Sequence, residues 1–165
     1  MRVLGIDPGT ATVGFGVVEQ APGPGRVLRL VECGIFRTRP RDPLSRRLAV
    51  IHEGLTELLA RHRPDVLAVE DIFYATNVRT TVVLGHARGV ILLAGEQAGV
   101  TVAEYPPAVV KKSVVGRGAA LKPQVGFMVA KLLRLRAAPT PADAADAVAV
   151  ALTHFLIGGR FKGMR

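Results

Sequence analysis

Residues 65–69, DVLAV, form an unbroken apolar run closed by Glu70. A strand without polar alternation is buried on both faces, so helices must cover both sides of its sheet. Residues 2–6 form a similar short run that ends in Asp7 and breaks at Pro8-Gly9-Thr10. Between the two runs, Leu44, Leu48, Ile51, Leu55, Leu58 and Leu59 recur at helical spacing over residues 44–61. Asp42 and Pro43 stand where a helix start belongs, and Pro64 where it must stop. Strand, helix, strand in that order implies a parallel crossover.

Residues 13–19 (VGFGVVE) and 27–38 are two further runs around a Pro/Gly turn at 21–26, predicting an antiparallel meander with the first strand. Asn77 opens a helical segment to about residue 98, residues 100–105 read as a fifth strand, and residues 108–115, 122–135 and 141–155 read as helices. The prediction is an α/β domain over residues 1–157, with a mixed five-stranded sheet flanked by helices, and a basic tail at 158–165. Cys33 is the sole cysteine, which excludes disulfide frameworks and thiolate clusters within the chain; it reads as packing. No stretch reaches the ~20 apolar residues of a membrane span, and the N-terminus turns polar too early for a secretory signal. The expected location is the cytoplasm, without a membrane partner.

Lys and Arg number 22 against 13 Asp and Glu, a net charge of +9. Such an excess suits a polyanionic partner, nucleic acid above all, although a basic chain can also serve solubility alone. Against this background the carboxylates Asp7, Glu70, Asp143 and Asp146 stand out. Asp7 and Glu70 end strands that, as parallel neighbours, open on one edge of the sheet, where α/β ligand sites form. Asp143 and Asp146, three residues apart in PTPADAADAVAVAL, share a helix face. Asp143 taken alone also fits as a charge favoured by the helix dipole, whereas Asp146 sits among small apolar residues with no local cation. Carboxylates gathered together raise each other's pKa unless a cation lies between them. Without cysteine ligands they suit a hard ion such as Mg²⁺ or Mn²⁺. On a phosphodiester, two such ions ~4 Å apart activate water and stabilise the leaving oxygen.

The segments GIDPGTATVGFGV, AVEDIFYATN, EYPPAVVKKSVVGRGAALKPQV and PADAADAVAVALTH, in this order over nearly the whole chain, resemble the RuvC family of bacterial Holliday-junction endonucleases. The resemblance implies an RNase H-like fold, metal-dependent paired cleavage of four-way DNA junctions in recombination and repair, and Asp7, Glu70, Asp143 and Asp146 as ligands of two divalent ions. It also implies base stacking by Phe73, beside which Tyr74 stands, and phosphate contacts from Lys111 and Lys122. On their own terms an aromatic in a loop is also a core plug, and the Lys111-Lys112 run is also a solvated face. The Gly116-Arg117-Gly118 turn brings a backbone near phosphate or merely marks a loop. Pro106-Pro107 and Leu121 depart from the commonest family pattern. The expected partners are the junction, a second copy of the chain and the branch-migration complex of RuvA and RuvB.

Two other readings remain at this point. GIDPGT also resembles the first phosphate loop of actin-like ATPases and sugar kinases, which are about twice this long. A non-catalytic junction-binding module leaves the carboxylates unexplained. The segment 76–98 carries Val82, Val83, Leu84, Ala87, Val90 and Ile91 on an apolar arc wider than the ~100° one packing surface needs. Gly85 and Gly89 would let a second backbone approach. Either the helix is buried in its own domain, or Val83, Leu84, Ala87 and Ile91 line a two-fold interface suited to two symmetric cuts.

Overall fold

A computed structural model of the chain describes residues 1–23, 27–71 and 77–157. The meander appears as β1 (Arg2–Asp7), β2 (Thr12–Gln20) and β3 (Leu28–Arg37). Then follow α1 (Leu44–His62), β4 (Val66–Glu70), α2 (Val78–Gln97), β5 (Thr101–Tyr105), α3 (Pro107–Val115), α4 (Lys122–Leu132) and α5 (Ala142–Leu156). The sheet order is β3-β2-β1-β4-β5, with β1–β2 and β2–β3 antiparallel and β1–β4 and β4–β5 parallel. The mixed five-stranded α/β sheet expected from the sequence is therefore present. The tail at 158–165 lies outside the described residues.

Val66 to Val69 are buried on both faces, as their lack of alternation requires. Leu4, Ile6, Val13, Val17, Leu67 and Val69 meet α1 and α2 on one side, through Ile51, Leu55, Ala87 and Ile91. Val3, Val18, Ala68 and Ala103 meet α3, α4 and α5 on the other, through Val110, Val129 and Val148. Local signals place the helix starts. The Asn77 side chain accepts from the backbone N–H of Arg79 at 2.9 Å and Pro107 occupies the first turn of α3, where its missing N–H costs nothing. Asp42 does not cap α1; its own N–H donates to the Arg39 carbonyl in the turn before it. Helix α4 stops three residues short of the predicted end because Arg134 turns left-handed (φ 54°).

The geometry of the sheet edge depends on α5, which lies almost on the backbone of β1 and β2. A Cβ at Gly14 would stand 2.1 Å from the Asp143 carbonyl oxygen, and one at Gly5 would stand 2.2 Å from that of Ala147. Both neighbours are backbone, so no side chain can swing away, and only a shift of the helix relieves the clash. Replacement of Gly14 by Ala is expected to destabilise the fold by roughly 1–3 kcal/mol and to displace Asp143 and Asp146 from Asp7. Urea unfolding, paired with divalent-ion titration by calorimetry, reads both effects.

Candidate metal centre

Register and helix phase bring the carboxylates together. Ile6 pairs with Val69 in the parallel β1–β4 ladder, so Asp7 and Glu70 leave the sheet side by side. The first turn of α5, seated against Gly14, presents Asp143 and Asp146 to the same edge. Asp7, Asp143 and Asp146 each offer a carboxylate oxygen within 4.8 Å of the others'. Glu70 joins through a side-chain hydrogen bond with Asp7. Asp7, Glu70 and Asp146 line a cleft of about 150 Å³, walled by Pro107, Val110 and Lys111 of α3, Lys122 and Val125 of α4, and Ala149 of α5.

The electrostatics record the crowding. Burial first, then the negative charge of Asp146, pushes the Asp7 carboxyl up to about 6. Burial and the charge of Asp7 push Glu70 up to about 8, so Glu70 keeps its proton longer than Asp7. Among the described residues, Lys122 answers with a direct ion pair. Lys122 Nζ lies 2.7 Å from Asp146 Oδ2 and 3.8 Å from Asp143 Oδ1, and its own pKa is raised, chiefly by the hydrogen bond to Asp146. The Gln124 side chain fixes the start of α4 by accepting from the Leu121 backbone N–H at 3.0 Å. A single ammonium balances one of four carboxylates. The oxygen-only donor set, the raised pKa values and the cation already drawn into it fit a hard divalent ion.

Lys111 lines the cleft, whereas Lys112 and Arg117 are exposed on α3 and the turn after it. Lys122, expected beside a phosphate, is bound to the carboxylates in this state. Phe73 and Tyr74 lie outside the described residues. Two of the residues predicted for a two-fold interface face the other way. Ala87 and Ile91 are fully buried against the chain's own sheet, because residues 87, 91 and 94 form a single inward stripe on α2. Val83 and Leu84 are half-buried, and the outward apolar groove is lined by Leu48, Val82, Gly85, His86, Gly89, Val90 and Leu93.

Sequence reading passed over two supports of the site. Arg88 of α2 reaches Asp71, the residue after Glu70, at 3.2 Å and also pairs with Glu104 of β5, tying the end of β4 to α2. Tyr105, paired with Glu70 in the β4–β5 register, is fully buried, and its hydroxyl meets His154 Nδ1 of α5 at 2.6 Å. Burial raises the pKa of Tyr105 and lowers that of His154, so the hydroxyl donates to a neutral ring. Partners so distant in sequence leave no local pattern; only the lone polar residues in apolar strands hint at them.

The raised carboxyl pKa values set the sign of a pH effect. The folded chain holds the Asp7 and Glu70 protons more tightly than the unfolded chain does. This contribution is fully present below the unfolded values and is lost as pH rises through about 6 and about 8. Without metal, melting temperature is expected to fall from about pH 5 to about pH 8, with a smaller fall in Glu70→Gln. Saturating Mg²⁺ is expected to raise it more at the alkaline end. An equal Mg²⁺ shift at both ends would contradict the titration.

Comparison with known proteins gives one consistent result. The family model described as crossover junction endodeoxyribonuclease RuvC matches residues 3–154. A relative of that name from Pelotomaculum thermopropionicum is 48% identical over 154 residues, covering 93% of this chain and 92% of the relative. The structure of Thermus thermophilus RuvC superposes with a TM-score of 0.87 at 38% identity, over 96% of each chain. The T. thermophilus protein in complex with Holliday junction substrate gives a TM-score of 0.85 at 36% identity, over 96% of this chain and 95% of that one.

Proposed function

The chain belongs to the RuvC family of crossover junction endodeoxyribonucleases, and from that premise we propose how its own residues resolve a four-way DNA junction. The fold is RNase H-like and the activity is that of a junction-resolving endonuclease. The observation that carries the mechanism is the carboxylate cluster at the sheet edge, with oxygens of Asp7, Asp143 and Asp146 within 4.8 Å of one another and a lysine already paired to it.

Asp7, Glu70, Asp143 and Asp146 are the ligands of two Mg²⁺ or Mn²⁺ ions. When bound, these supply Lewis acidity at the phosphorus and a water activated near neutral pH. With divalent ions held by these carboxylates, Glu70 would lie in its ionised form and Lys122 would be released from Asp146. Lys122 then turns to a phosphate oxygen, with Lys111 on the facing wall of the cleft as a second positive anchor. The phosphodiester is thereby held with its scissile phosphorus over Asp7. Lys112 and Arg117 extend this basic flank to neighbouring phosphates, and Phe73 and Tyr74 offer ring faces to unpaired bases at the crossover. Stacking on bases and charge on phosphates both tolerate any sequence, as a junction binder requires.

Two symmetric cuts require two sites, which a C₂ homodimer supplies. The groove along α2 and Leu48 is its interface, with Gly85 and Gly89 letting a second helix approach; a Cβ at either glycine would meet nothing within 4 Å. The branch-migration complex of RuvA and RuvB is the protein partner that the family reading brings with it. Among the described residues no helix is long and apolar enough to cross a membrane, and the expected setting is the cytoplasm.

The test compares a synthetic four-way junction, linear duplex and RNA–DNA hybrid, each with Mg²⁺, Mn²⁺ or EDTA. Cleavage is expected only of the junction and only with metal. Asp7→Asn should retain junction affinity to within about twofold while cleavage falls by about 100-fold or more, since even outer partners of a metal are worth 10–100-fold. A residual rate above about a tenth would remove Asp7 from the ligand set.

Leu93→Glu places a charge in the outward groove and is expected to give a folded monomer by light scattering. On a cruciform plasmid it should yield relaxed circles in place of linear product. Ile91→Glu, at a fully buried position, should unfold the chain instead. A monomeric Leu93→Glu that still linearises the plasmid would show that this groove does not pair the sites.

A further inference from the structure

The segment 37–47, RTRPRDPLSRR, holds five arginines against one aspartate, and the metal centre uses none of them. Arg37 ends β3 and pairs with Thr12, at the same edge of the sheet as Asp7, which pairs with Gly14. Arg37, Arg39, Arg41 and Arg46 are all exposed, and among the described residues none of the four pairs with a carboxylate. The acids of the neighbouring strands lie towards the far end of the sheet and are committed there: Glu19 to Arg2 and Arg29, and Glu32 to Arg61 and His62. Asp42, half-buried in the turn, is the segment's single negative group.

The strip is fastened to the catalytic edge. Buried Thr38 donates its N–H to the Ala11 carbonyl at 3.0 Å and its hydroxyl to the Thr10 carbonyl. Arg47, the fifth arginine, donates Nε to the Thr10 carbonyl at 3.2 Å and to Thr38 Oγ1 at 3.1 Å. Residues 10 and 11 belong to the loop that leaves Asp7, so the exposed guanidinium groups stand on a scaffold held against the metal-ligand strand. Like charges fixed close together repel, and an outside anion relieves that repulsion.

We propose that this strip binds the sugar–phosphate backbone of a duplex arm of the junction, on the opposite flank of the site from Lys111, Lys112 and Arg117. The proposal rests on the reading of the substrate as a DNA junction. Helices α3 and α4 lie on one face of the sheet and α1, which the strip leads into, on the other. The two basic surfaces therefore bracket the carboxylates. Two strand spacings of ~4.8 Å put Arg37 roughly 10 Å from the line of β1. At 3.4 Å per nucleotide of one strand, this is about three steps from a phosphate over Asp7. The forked guanidinium matches phosphate oxygens, and the segment contains no aromatic to stack on bases. Phe36, just before it, packs on Phe15 at 5.2 Å between ring centres. This chemistry reads backbone charge without sequence and fits a paired arm better than an unpaired crossover.

The test measures Arg39→Glu/Arg41→Glu by fluorescence anisotropy on junctions with long arms and with arms trimmed to a few base pairs. On long arms the double variant should bind at least about tenfold more weakly, with a log–log salt dependence shallower by about 2. On trimmed arms it should match wild type, and cleavage at saturating DNA should keep its kcat while KM rises. Arg39→Lys/Arg41→Lys should restore the salt dependence. Unchanged affinity and slope on long arms, an equal loss on trimmed arms, or a fall in kcat would each overturn the strip as an arm-binding surface. Failure of the wild type itself to prefer a junction over linear duplex would instead overturn the reading of the substrate.

Discussion

Everything at the catalytic edge depends on how closely α5 approaches the sheet. Gly5 and Gly14 remove the side chains that would hold the helix off, and backbone carbonyls of Asp143 and Ala147 occupy the space. Alanines along the buried side of α5 (Ala144, Ala147 and Ala151, all fully buried) continue the same economy of volume. The approach puts the helix dipole, the carboxylates of its first turn and the strand-end Asp7 within one small volume. A helix packed on ordinary Val or Leu side chains would stand several ångströms further away, and its aspartates could not share an ion with Asp7. The glycines and alanines are thus as much a part of the site as the acids.

That proximity has an electrostatic cost, which the metal-free protein meets in two ways. Glu70 and Asp7 share a proton at neutral pH, and Lys122 reaches across from α4 to the Asp146 carboxylate. Both devices are reversible. A proton can be displaced by a cation, and a lysine that is more than half exposed can swing on its flexible stem. The site is therefore stabilised without its ion and remains open to it. A permanent arginine clamp in the same place would have occupied the centre.

Much of this was legible in the sequence where the signal is local. The unbroken DVLAV run gave β4, helical spacing gave α1, and the order of elements gave the mixed sheet. Asp7 and Glu70 could be paired because parallel neighbours end on one edge, and Asp143 and Asp146 because three residues make nearly one helical turn. What stayed hidden depends on contacts between distant segments. The pairing of Lys122 with Asp146, the Arg88 bridge to Asp71 and the Tyr105–His154 hydrogen bond span 17 to 49 residues of sequence. The apolar arc of α2 misled for a related reason. The sequence shows that the apolar arc of the helix is wide but not which part of it its own sheet takes, and Ala87 and Ile91 fell to the sheet.

The distribution of charge separates binding from chemistry. The chain carries +9 overall while its four site acids are gathered at one edge of the sheet. At distances beyond a Debye length of about 8 Å the net charge is largely screened, so attraction to DNA depends on which surfaces are basic close to the phosphates. In the proposed arrangement the surfaces of segment 37–47 and of α3 would provide that attraction without metal. Directly over Asp7 the carboxylates outnumber the cations, and divalent ions in the proposed site would turn a repulsive field attractive to phosphate. DNA can be held by the flanks while the scissile bond stays untouched. On the proposed mechanism, cleavage would then depend on the ions while binding rests on the flanks. A nuclease acting on a transient branched structure benefits from this order, because the junction can be captured and aligned before a strand is cut.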